Sequence, residues 1–327
     1  MFKKSITISM ILLAALFLAS ACSAVNTEEP YEDTEEPVET NLPLETNEPV
    51  VADDTSPVCA SQLDTLFNSE GESDALNDAP EADDEYILVT YQVSGDEISS
   101  PKLESGVPDE FVSYQEDTAS QENIWQFVTD VIPADQREIL GEFIIFTDGV
   151  DNTIAAVDEA DTGGKWTIEM DIVDSQDQAT MSTALVHEFG HMLTLNDTQI
   201  DANASSCSTY NTIDGCSRSD SYINAFYNAF WADIYDEWSS TVEFSDGEVN
   251  EDQVAVFYEQ YPEQFVTDYA PTGPEEDIAE SFLYFVFSSR PAGDTLAEQK
   301  ILFFYDYPEL VALRGTMRSN LCQYIQE

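Results

Sequence analysis

The sequence predicts an α+β protein, with strands in the first part of the chain and a mainly helical C-terminal part. Three observations predict it. Strand-like runs rich in β-branched and aromatic residues fall between Tyr86 and Val173. A helix start signal follows them at Ser175 or Asp177. Apolar residues at helical spacing then recur down to Ile325.

At 327 residues the chain is long enough for a real core, as one large domain or two modest ones. Hydrophobic residues at 43% and aromatics at 11% exclude global disorder. The charge is lopsided: 66 Asp and Glu against 10 Lys and Arg give −56. Such a chain is repelled by nucleic acid phosphates and by an anionic membrane surface, which excludes both as electrostatic partners. Solubility, or the steering of basic substrates, remains as the use of that charge.

The N-terminus reads as an address. Lys3 and Lys4 precede an apolar run from Ile6 to Leu18, too short to span a bilayer, and then Ala19-Ser20-Ala21-Cys22. This is a signal peptide over residues 1–21, and its end resembles a bacterial lipobox, which implies export and lipidation of Cys22. Plain secretion is the alternative. Residues 22–58 form an acidic, proline-punctuated tether without Lys or Arg. A lipid-anchored protein needs such a spacer between membrane and domain. Of five cysteines, removing Cys22 leaves an even number, as suits an oxidising compartment. Cys207 and Cys216 flank a short polar stretch and are expected to pair. Cys59 and Cys322 would then tie the start of the folded domain, 59–327, to its end.

Within that domain 59–120 carries no assignable role, and Ser69 to Glu85 reads as a loop. Tyr86 to Val93 is a strand. Gln121 to Ile132 is a helix stopped by Pro133. Phe143 to Phe146 is a short buried strand. In Lys165 to Val173, Trp166, Ile168, Met170 and Ile172 alternate with polar residues, as expected of a half-exposed strand at a sheet edge. A capped helix then begins and runs through Ala179 to Val186. Ser221 to Trp238 is an aromatic helical stripe, either core or cleft wall. Pro274 opens a helix through Phe287. Helical stretches at Leu296 to Tyr305 and Glu309 to Ile325 finish the chain.

The only two histidines are His187 and His191, and Glu188 follows the first. Residues four apart share one helix face, so both imidazoles can hold one Zn²⁺ with Glu188 beside its water. Two histidines scattered over this length fall four apart in roughly 0.6% of arrangements, before Glu is required. A third ligand has two sources. Asp197 lies just downstream in a metzincin-like arrangement, with Met317 available as a methionine-turn residue. Against it, Thr194 stands where that pattern places Gly. The other source is Tyr269 to Phe282, where Glu276 and Glu280 share a face with Ala279 and Leu283. Burying two like charges there is costly, and a cation removes the conflict.

HEFGH, a later Tyr and Glu-x-x-Ala-Glu-x-Phe together resemble gluzincin metallopeptidases, especially the catalytic domain of the anthrax toxin lethal factor type. The resemblance covers Trp166 to Phe287. It implies a zincin-like fold, a small mixed sheet with an exposed edge strand over the HExxH helix. It also implies a zinc endopeptidase with His187, His191 and Glu276 as ligands and Glu280 supporting them. Tyr269 would face the substrate oxyanion, and Glu188 would be the general base. A peptide substrate would pair along the edge strand Lys165 to Val173. A zinc-holding lipoprotein without turnover is the rival. Acid-rich loops such as Asp148 to Asp151 offer calcium ligands, though at no known spacing.

Overall fold

In the computed structural model the described residues are 84–325, except 151–152, 161–163 and 243–248, together with 62, 63 and 67. The signal peptide, the tether, Cys22, Cys59 and most of the 69–85 stretch lie outside the described residues.

A five-stranded mixed sheet carries the first part of the fold. Its strands are β1 (Tyr86–Ser94), β2 (Glu97–Leu103), β3 (Leu140–Thr147), β4 (Ala155–Glu159) and β5 (Trp166–Asp171), in the order β2-β1-β3-β5-β4. β1 is antiparallel to β2 and β3, β3 and β5 are parallel, and β4 is antiparallel to β5. The parallel pair, buried among Phe143, Ile145, Ile168 and Met170, is the centre of the sheet. Helix α1 (Val112–Glu116) and helix α2 (Thr118–Val131) connect β2 to β3. Asp117 caps α2 by accepting the Ser120 N–H, and its apolar stripe of Ile124, Trp125, Phe127 and Val128 is buried.

The expected edge strand is corrected here. Trp166–Asp171 lies inside the sheet, and the edge is Ala155–Glu159. Alternation reports which faces a strand shows, not whether its hydrogen-bonding edges are taken. In β5 even the polar face is covered, since Thr167 and Asp171 are buried. Ile154 C=O accepts from Asp171 N–H and Ala160 N–H donates to Lys165 C=O. The even-numbered residues of β4 therefore face β5, and Ala155, Val157 and Glu159 turn their backbone groups to the free edge.

Glu169, on the covered face of β5, is pushed up to about 7 by burial and then by Glu85, Asp158, Glu188 and Glu142. The unfolded chain releases this proton near the ordinary value of 4.5 and the folded chain only near 7, so rising pH costs stability between those values. Glu169→Gln is expected to stabilise the protein by up to ~3 kcal/mol above pH 7 and to change little below pH 4.5, read from urea midpoints at both pH values.

Helix α3 (Gln178–Leu195) follows β5. Asp177 caps it through the Thr180 N–H, and most of its surface is buried, as befits an interior helix. The C-terminal part is mainly helical: α4 (Tyr222–Phe230), α5 (Tyr235–Thr241), α6 (Glu251–Gln260), α7 (Pro274–Phe287), α8 (Leu296–Phe303) and α9 (Pro308–Ile325). Ser221 to Trp238 is thus two helices rather than one. The chain turns between Trp231 and Ile234, so that Trp231 and Trp238 both enter the core with rings edge to face, 5.7 Å apart. Because both pieces face one core, the apolar spacing runs on across the break. The described residues of the 59–120 part belong to the same fold: Leu63 is fully buried and Phe67 packs on Tyr284 and Phe287 of α7.

Between α3 and α4 lies a small three-stranded sheet of β6 (Ile200–Asp201), β7 (Asn211–Thr212) and β8 (Gly215–Ser217), in the order β6-β8-β7. Cys207 and Cys216 form the expected disulfide, with Cα atoms 5.2 Å apart. Cys322 is also disulfide-bonded. Gly215, at φ +147°, lies against β6, where a Cβ would stand 2.6 Å from the Asp201 carbonyl oxygen.

Candidate metal centre

α3 and α7 cross against each other, and their closest approach sets the site. Gly190, inside HEFGH, faces Ala279, and a Cβ on Gly190 would come within 3.1 Å of the Ala279 Cα. Two small residues let the backbones close up, which brings the first two turns of α7 over the histidines of α3.

There His187 Nε2 and His191 Nε2 are 3.1 Å apart. Glu276 Oε2 lies 3.3 Å from each. Tetrahedral coordination with bonds of 2.0–2.1 Å places ligands about 3.3–3.4 Å from one another, so the three atoms occupy one triangular face of such a site. Glu276 Oε2 is buried without a hydrogen bond, which a cation would satisfy. The electrostatics agree. Burial acts to lower His187, yet Glu276 and Glu280 raise it well above its ordinary value. Burial acts to raise Glu276, yet the two imidazoles hold it below the usual carboxylate range. The pocket favours positive charge between these donors, and two imidazoles with one carboxylate suit zinc.

The supporting residues surround this triangle. Glu280 Oε1 stands 2.7 Å from His187 Nδ1, and its other oxygen accepts from the Thr267 hydroxyl at 2.6 Å. That arrangement fixes the imidazole ring with Nε2 toward the donors. Tyr269, its ring centroid 6.1 Å from that of His187, donates its hydroxyl to Glu276. Burial, then the Glu276 charge, raise the Tyr269 phenol well above its ordinary value. Glu188 is buried and pushed up to about 7, chiefly by that burial. It accepts the Val157 N–H of the edge strand, while its Oε2 has no hydrogen-bond partner. A cavity of about 40 Å³ lies beside His191, walled by Val157, Trp166 and Leu195.

Asp197 is not in the donor group. α3 continues past Thr194 to Leu195, and Asp197 sits exposed beyond it, its carbonyl accepting from Arg218 Nε. Met317 is core. Asp148 gathers with Asp171 and Asp174 into a second buried acidic group, their oxygens within 4.8 Å of one another. Backbone N–H groups reach it: Asp171 accepts from Asp148, Val173 and Asp174, and Asp148 from Thr153. These bonds staple the ends of β3 and β5 together. Asp151 lies outside the described residues.

Sequence reasoning missed Thr267 and Val157, which touch the site, and Tyr210 and Lys300, which brace α7 through Glu275 and Asp277. None carries a local signal, since each arrives through packing of distant segments. Against family models, curated proteins and solved structures, the chain matches none.

Proposed function

We propose that this chain is a zinc-dependent endopeptidase of gluzincin type with a zincin-like fold, exported and anchored by lipid on Cys22, acting on peptide or protein substrates. One observation carries the reading: two imidazole nitrogens and one carboxylate oxygen converge at tetrahedral spacing, with a second carboxylate, Glu188, beside them. Zinc held by His187, His191 and Glu276 would supply Lewis acidity to a peptide carbonyl and make water nucleophilic near neutral pH.

The chain's own residues supply the rest. Glu188 takes a proton on its unpartnered oxygen and returns it to the leaving amine, while Val157 N–H holds the other end of the carboxylate. Tyr269 donates to the developing oxyanion. Glu280 and Thr267 hold the His187 ring. An extended substrate pairs with the backbone groups of Ala155 and the carbonyls of Val157 and Glu159 along β4, in place of the strand expected from sequence, since Val157 N–H serves Glu188 and Glu159 N–H donates to Asp158 Oδ1. Metal binding alone needs no general base, so Glu188 favours turnover over a purely zinc-holding lipoprotein.

Removing metal from the full chain with a chelator is expected to abolish peptide hydrolysis, and adding zinc to restore it. Hydrolysis that persists in metal-free protein would overturn the proposal.

A further inference from the structure

Three consecutive acids open α7, and each is held by a different part of the molecule. Glu276 faces the histidines. Asp277 accepts the Trp231 indole N–H at 2.7 Å and pairs with Lys300, inside the core. Glu275 accepts the Tyr210 hydroxyl, 2.9 Å from each of its oxygens. The helix end itself has no side-chain cap, because Gly273 occupies the N-cap position. The turn that presents Glu276, brought over the histidines by the Gly190–Ala279 contact, is further braced by its two flanking neighbours.

Of the two anchors, Asp277 is deep in the core. Glu275 depends on Tyr210, which belongs to the stretch closed by Cys207 and Cys216. There the Tyr210 ring stacks on Tyr227 at 4.2 Å, its N–H donates to Asn224 Oδ1, and its C=O accepts from Ser217 N–H. The strands β7 and β8 span two and three residues, far short of what holds a hairpin by itself. The disulfide supplies the missing constraint. Cys207 is partly exposed, within reach of thiol reagents, and Cys216 is buried.

We propose that the 207–216 hairpin is an oxidation-dependent clamp on the metal centre: Tyr210 positions Glu275, and with it the helical turn bearing Glu276, once the disulfide has formed. The proposal rests on the metal-centre reading above. In the closing step both thiols lose a proton, and a bond forms between Cys207 and Cys216 sulfurs. The two electrons pass to a disulfide-class oxidant, which leaves as two thiols. Without the bond the hairpin loosens, Tyr210 no longer holds Glu275, and Glu276 must be ordered at the expense of metal affinity. A site built this way is completed where disulfides form, which matches the export signal at the N-terminus. Tyr210 is a positioning residue.

The test measures Zn²⁺ affinity of the full chain by competition with a chromogenic chelator. Five proteins are compared: wild type, Tyr210→Phe, Cys207→Ser/Cys216→Ser, these two combined, and Tyr222→Phe. Serines are chosen because, unlike reduced thiols, they add no zinc ligand. Tyr222 is the control, since it donates to Glu309 at 2.9 Å away from the donors. Tyr210→Phe and the double serine variant are each expected to bind zinc roughly 10–100-fold more weakly, as for loss of a group that orients a ligand. Combined, they should be less than additive because they act through one path. Tyr222→Phe should bind like wild type. The absorption bands of Co²⁺-loaded Tyr210→Phe should shift with the altered donor geometry, which a general loss of stability would not cause. If wild type binds no zinc, the metal-centre reading itself fails. If wild type binds and both variants bind as tightly, the clamp is refuted while the centre stands. Should one variant not fold, the other decides.

Discussion

Glu276→Ala is expected to lose most of the zinc affinity, because two histidines on one helix remain as the only protein ligands. The geometry sets a ranking among neighbours. Glu280→Ala leaves His187 Nδ1 without its acceptor, 2.7 Å away in the native chain, and should cost roughly 10–100-fold in affinity or activity. Tyr269→Phe keeps the metal but removes one oxyanion donor, worth roughly 10²–10³ in rate where such donors have been tested. Asp197→Ala should leave metal content unchanged, since that residue lies exposed and outside the donor group. Equilibrium dialysis of the four variants, joined to peptide turnover, checks the order. Metal loss in Asp197→Ala with retention in Glu276→Ala would make Asp197, not Glu276, the third ligand.

Lys300→Met is expected to destabilise the fold by roughly 3–5 kcal/mol, because it strands a buried carboxylate. Lys300 and Asp277 are both fully buried, and the ammonium also lies over the Phe265 ring at 4.0 Å. Burial lowers Lys300 and pushes Asp277 up to about 6, with each opposing the shift in its partner. Removing the Lys300 charge leaves Asp277 with only the Trp231 indole N–H to compensate it, and a loss of this size is a large part of the 5–15 kcal/mol that typically holds a domain together. Replacing both, as Lys300→Met with Asp277→Leu, should recover much of the loss even though the Trp231 indole loses its acceptor. Urea denaturation of the single and double variants measures the difference. A single variant as stable as wild type would show that the pair contributes nothing to holding α7.

Much of the fold and the core of the site were legible in the sequence for local reasons. Asp177 and Pro274 mark helix starts through chemistry that acts within one turn. His187, Glu188 and His191 fall on one helix turn by spacing alone. Cys207 and Cys216 lie close enough in sequence to pair. What was not legible depends on which segments meet. The edge of the sheet went to Ala155–Glu159, a run too short and too plain to show strand character, while β5 was taken inside by pairing on both sides. The turn at Trp231 follows from the demand that both tryptophans be buried, and spacing does not reveal it. Tyr210 and Lys300 reach α7 from 65 and 23 residues away respectively, and only the packed structure joins them to it. The resemblance to gluzincins bore on the two motifs and Tyr269 and offered no counterpart for the Cys207–Cys216 loop between them.

The central claim is that His187, His191 and Glu276 hold one zinc on which Glu188 performs peptide hydrolysis. The most direct measurement takes metal content and cleavage of a peptide library from the same samples of wild type and Glu188→Gln. Wild type should carry one zinc per chain and cleave, whereas Glu188→Gln should keep the zinc and lose turnover by orders of magnitude, since the base and the ligands are separate residues. Unchanged cleavage by Glu188→Gln, or a wild type that carries zinc and cleaves nothing, would contradict it.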